Sequence, residues 1–144
     1  MHPIHPMVVH FPIALLITGV AFEALALWRQ SDRLRATSLD LLVVGVLAAG
    51  LAVVTGHVAE EAVEHSGIPE EALEIHEKLG FAVFWIFAAV LGFRLAVRWH
   101  WIRETYVLSL LLGIVGVIVL LVASYFGGEL VYSLGAGVAG RTGG

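Results

Sequence analysis

Four stretches of this chain are apolar over about the length a helix needs to cross a bilayer, and nothing else constrains its fold so strongly. They run from about Met7 to Trp28, Thr37 to Val58, Leu79 to Val97 and Tyr106 to Phe126. A helix crosses the hydrocarbon core in ~20 residues. There its backbone must satisfy its own hydrogen bonds, so helix rather than open strand is expected in each stretch. The rest of the composition agrees. Of 144 residues, 59% are apolar and the mean hydropathy is +0.92, more apolar surface than a soluble domain of this size can hide. The sequence predicts an all-α, integral membrane, antiparallel four-helix bundle forming one domain. Its helices are expected over about residues 7–29, 37–60, 69–99 and 104–127, with a Gly-rich tail at 128–144.

The connections set the orientation. The first and third are short and carry arginine, whereas the middle one is long and acidic, with Glu60, Glu61, Glu64, Glu70, Glu71, Glu74 and Glu77 in or beside it. Pro69 followed by Glu70 and Glu71 reads as a helix start. Gly127 and Gly128 read as the end of the fourth helix, with the tail folding over the bundle's end. Four crossings put Arg29, Arg33, Arg35, Arg94, Arg98 and Arg103 on one side and leave Lys78 and Arg141 on the other. The positive-inside rule makes the arginine side cytoplasmic, so both termini are expected on the extracytoplasmic side of a bacterial inner membrane. Trp28, Trp99 and Trp101 read as interfacial anchors. The first apolar stretch, preceded by neither Lys nor Arg, reads as a span and not as a cleavable signal.

The composition also excludes. Cysteine is absent, which rules out thiolate metal sites, covalent haem attachment and iron–sulfur ligation within this chain. Basic residues are few and form no soluble patch, so no nucleic-acid partner is expected.

Histidine distribution carries the functional reading. His2, His5, His10, His57, His65 and His76 fall at the extracytoplasmic end and only His100 at the other. His10, His57 and His76 lie at similar depth, roughly 19–22 residues or ~30 Å from the arginine end of their helices. A polar side chain at such depth is expected to face other helices and to have a partner. Small residues nearby (Ala14, Gly56, Gly80) leave room for a flat group, although close helix packing is the commoner cause of such stripes. Neutral imidazoles from facing helices in an apolar surround are what a b-type haem needs. The expected axial pair is His10 and His76, with His57 as substitute. A discrete Cu, Zn or Fe ion is the alternative, using His57, His65 and Glu61 with the same histidines; Glu61 and His65, four apart, fit a solvated contact equally well. The bland reading is that these histidines cap helices and meet lipid headgroups, with no cofactor bound.

Two details bear on that choice. Pro6 at the first helical position would leave Pro12 inside the second turn, freeing the Val8 carbonyl to orient a histidine. Alternatively Pro12 itself starts the helix and His10 precedes it. Elsewhere, Glu23 and Arg94 fall at similar depth near the arginine end and are expected to pair, neutralising both charges in low dielectric. The acidic middle connection reads as a solvated face that would suit a basic partner such as a soluble cytochrome.

Several motifs together carry a family resemblance: His5-Pro6-Met7-Val8-Val9-His10-Phe11-Pro12, Thr55-Gly56 closing the second helix, His76 opening the third, and Gly127-Gly128-Glu129-Leu130-Val131-Tyr132 before Gly135 and Gly137. Over essentially its whole length the chain resembles the bacterial membrane family named domain of unknown function 2231. The resemblance implies the fold more than an activity. Related domains fused to Rieske-type or cytochrome c domains imply electron transfer at the outer membrane face, with His10 and His76 matching the family's histidines. The expectation is a cytochrome-b-like electron-transfer subunit without a substrate-transforming active site, its redox partner a separate chain. The alternatives are a non-redox accessory subunit of a larger respiratory or photosynthetic complex, and an extracytoplasmic metal-binding protein.

Overall fold

Every element in the computed structural model is helical, with no strand among the described residues, which are 5–61, 68–103 and 105–135; the side chains of Glu60 and Glu61 also lie outside the description. A four-residue turn of helix, α1 (His5–Val8), leads into α2 (His10–Arg29), followed by α3 (Asp32–Glu61), α4 (Glu70–Arg98) and α5 (Tyr106–Tyr132). Val9 keeps helical angles (φ −61°, ψ −25°), so α1 and α2 form one rod. Its only irregularity comes where Pro12, lacking an N–H, leaves the preceding turn one hydrogen bond short. Pro6 thus sits in the first turn and Pro12 in the interior.

Four rods are long and apolar enough to cross a membrane, His5–Arg29, Asp32–Ala59, Glu70–Arg98 and Tyr106–Tyr132. Only 22–28% of each apolar window is buried by the rest of the protein. Leu47, Leu51, Val54, Trp85, Leu111, Ile118 and Leu121 are exposed. In water such a surface would be one continuous aggregating patch; against lipid chains it costs nothing. Leu16, Leu42, Val46, Val83, Phe87, Val90 and Leu120 form the shared core. Glycines permit its density: a Cβ at Gly45 would stand 2.7 Å from Leu16 Cδ2, and one at Gly116 2.8 Å from Phe87 Cζ.

Helix ends differ from the sequence expectation in the second and the last long helix. The second long helix was expected from residue 37 and starts at Asp32. Ser31 Oγ accepts the Leu34 N–H (3.4 Å) and Asp32 pairs with Arg35 at 2.7 Å, so a capped polar turn precedes the apolar stretch. The last helix was expected to start at 104 and stop at Gly127-Gly128; it starts at Tyr106 and runs through both glycines to Tyr132. It closes where the Ser133 and Leu134 N–H groups both reach the Glu129 carbonyl (2.9 and 3.2 Å) and Gly135 turns left-handed, φ 74°. A glycine ends a helix only if the chain takes that turn, and Gly127 has another role, described below. Of the tail expected at 128–144 to fold over the end, residues 128–132 are instead part of the last helix, and residues 136–144 lie outside the described residues.

Candidate functional site

At the end of the rods where α1 begins, two imidazoles from different helices meet. His5 reaches across from the first turn of α1, and His76 lies two turns into α4. Their ring centroids stand 6.1 Å apart with planes 75° from parallel. Both residues are half-buried.

Each ring is held by the same nitrogen. His76 Nδ1 lies 3.2 Å from the Ala123 carbonyl of α5. A carbonyl only accepts, so Nδ1 carries the proton of the neutral ring and Nε2 keeps its lone pair. His5 Nδ1 lies 3.3 Å from Thr55 Oγ1. That hydroxyl's own hydrogen is within reach of the Leu51 and Ala52 carbonyls (3.0 and 3.1 Å), which leaves it to accept from Nδ1–H. The Ala52 carbonyl, one turn before Gly56, is a further hydrogen-bond partner of the His5 ring.

Two glycines make room for these rings. A Cβ at Gly127 would come 2.8 Å from His76 Cε1, and one at Gly56 would come 3.0 Å from His5 Cε1. Gly127 thus serves inside α5 as the floor beneath His76, and Gly56 does the same for His5 in α3. The Nδ1 anchors lie on the same helices as these floors, Ala123 one turn before Gly127 and Thr55 next to Gly56. Each of the two helices therefore presents an acceptor oxygen and a bare patch of backbone to one imidazole.

His10 is not part of this pair. It is exposed and its Nδ1 donates to the Pro6 carbonyl at 2.7 Å. Depth alone pointed to it, but five helical residues turn its side chain about 140° from that of His5. The structure thus brings His76 together with His5 and not with His10, the partner expected from the sequence. His57 is not in the site either: one residue past Gly56 the helix has turned it outward, where its Nδ1 lies 3.0 Å from Glu77 Oε1. Of the discrete-ion set, His65 and the Glu61 side chain lie outside the described residues. Among the described residues no group of three or more His, Cys, Asp or Glu side chains is arranged to hold a metal ion. The sequence reading named His5 and Thr55 in its motifs but gave neither a site role; the signal was His5-Pro6, since a proline in the first helical turn makes His5 a helix-start residue able to fold back on a neighbour.

A second polar cluster lies toward the opposite end. Arg94 Nη1 stands 3.4 Å from Glu23 Oε2, and both side chains are only 4% exposed. Nη1 also donates to Ser38 Oγ at 2.8 Å and Nη2 to the Arg35 carbonyl at 3.1 Å. Ser38 passes the chain on, donating to the Gly19 carbonyl at 2.8 Å. Outside it, the Arg35 guanidinium covers the Tyr106 ring at 4.0 Å. A buried ion pair holds because further hydrogen bonds saturate the charges, and Arg94 collects three acceptors from two helices. Ser38 was not foreseen, since a lone serine in an apolar run has no distinguishing sequence signal.

No curated protein and no solved structure matches the chain. The family described as "Predicted membrane protein (DUF2231)" matches residues 1–140, a range that contains the histidine-proline opening, His76 and the Gly127-Gly128 segment. A family of membrane proteins accords with four exposed apolar rods, and the chain belongs to it.

Proposed function

We propose that this protein is a membrane electron-transfer subunit that holds one b-type haem between His5 and His76. The reading includes an antiparallel arrangement of the four spans with both termini extracytoplasmic, as the arginine distribution favours. The observation that carries it is the paired imidazoles: 6.1 Å between centroids, with each Nδ1 on an acceptor oxygen. His5 and His76, one ring from each of two helices, would hold the group between them. Metal-bound histidine ordinarily donates its other ring N–H to an oxygen, which fixes the tautomer. Thr55 and the Ala123 carbonyl are suited to that role.

The donor count favours haem over a bare ion. A discrete Zn or Cu site draws three or four ligands from protein, whereas haem brings four nitrogens of its own and needs two. Haem held there would supply one-electron exchange near the membrane surface. Glu70, Glu71, Glu74 and Glu129, all exposed at that end, would favour approach of a basic carrier, such as a separate c-type cytochrome or Rieske-type protein.

The test is optical. Protein expressed with haem supply and purified in detergent is expected to be red, with a Soret band that is lost in His76→Ala. A colourless wild-type protein under those conditions contradicts the reading. If it also copurifies with a large complex, an accessory role takes its place.

A further inference from the structure

The layer around Arg94 leaves two buried polar atoms unpartnered. Glu23 binds Arg94 through Oε2, while its Oε1 is buried without a hydrogen bond; Ser109 Oγ is likewise buried without one. Glu23 is 3% exposed and Ser109 0%. Helix packing brings them to one level. Val20 touches Gly113 and Phe87 touches Gly116. Glu23 lies three residues past Val20, and Ser109 four before Gly113. Arg94 lies seven past Phe87, and Ser109 seven before Gly116. With α5 running against α2 and α4, Ser109 therefore comes level with both members of the ion pair.

The chemistry of the two atoms defines what fits between them. An ionised carboxylate oxygen only accepts, and a serine hydroxyl can donate once and accept. A cation is disfavoured because Arg94 already neutralises Glu23, and a second positive charge would be unpaired in a low-dielectric interior. An anion would face the carboxylate. The remaining class is a small neutral molecule with two donors and lone pairs. A buried water is typically held by about three hydrogen bonds to otherwise unsatisfied groups.

We propose that the Glu23–Ser109 level of the helix core is a binding site for a single internal water that bridges Glu23 Oε1 and Ser109 Oγ. It completes the hydrogen bonding of the ion pair, and it adds Ser109 to a polar layer that α5 already meets through Tyr106. This inference does not depend on haem at the other end.

A crystal structure of the full chain grown from a lipidic mesophase, at a resolution that shows ordered water, tests it. The expected result is a water peak within hydrogen-bond distance of both atoms, absent when Ser109→Ala is solved in the same form. Direct bonding of Ser109 to Glu23 Oε1, or Oε1 bonded to another side chain with no water, overturns it. In solution, an infrared O–H band that shifts in ¹⁸O-labelled water and disappears in Ser109→Ala is expected. A wild-type minus Ser109→Ala difference spectrum with no label-sensitive band overturns the proposal as well.

Discussion

Gly127 and Gly128 are neighbours in α5 with opposite tolerance for a side chain. A Cβ at Gly128 meets nothing within 4 Å, while one at Gly127 meets His76 at 2.8 Å. Gly128→Ala is therefore expected to stabilise the helix by about 0.5–1 kcal/mol through propensity. Gly127→Ala gains the same propensity but overpacks the imidazole, at a cost of about 1–3 kcal/mol. Thermal unfolding in detergent of the two variants should move in opposite directions. Thr55→Val removes the acceptor for His5 Nδ1–H; if the proposed haem is bound, affinity should fall about 10–100-fold, as is usual when a partner orienting a metal-bound histidine is lost. A haem titration of the apoprotein measures that. Of the two rings, His76 was legible in the sequence as a lone histidine opening an apolar helix. The choice between His5 and His10 was not, because it depends on whether the helix begins before or after Pro12. The two beginnings give different neighbours at the same depth.

At the scale of elements, the ion pair joins two helices that are far apart in sequence. Arg94→Met leaves the Glu23 carboxylate buried without its cation and should destabilise by about 3–5 kcal/mol. Pairing it with Glu23→Gln should restore a large part of that loss, a non-additivity that a double-mutant cycle of unfolding free energies would read directly. Simple addition of the two single effects would mean that the pair does not act as a unit. The pairing was legible because spans of known length fix depth, and two opposite charges at one depth in hydrocarbon have few alternatives to each other. Helix ends were less legible. Ser31 extends α3 by capping a polar turn, and Gly135 rather than Gly127 takes the left-handed turn that closes α5. Both outcomes turn on local hydrogen bonds between residue types that are common in loops and helices alike.

For the whole molecule, apolar rods with only 22–28% of each apolar window buried explain why length and hydropathy revealed the architecture before any contact was known. The chain has no cysteine, so Gln30→Cys, in the exposed turn between α2 and α3, would be a single label site. The arginine distribution predicts that a membrane-impermeant thiol reagent leaves it unlabelled in intact cells and labels it in inverted vesicles. Labelling in intact cells would reverse the orientation. The two polar sites sit near opposite ends of the rods, one of paired imidazoles and one of a neutralised charge pair, with an apolar core between them. The proposed function places the cofactor at the histidine end and leaves the arginine end a packing role. The most direct test of this assignment is the Soret absorbance of His5→Ala beside that of His10→Ala, each purified after expression with haem supply. The account predicts loss of the band in His5→Ala and its retention in His10→Ala; loss in His10→Ala with retention in His5→Ala would contradict it.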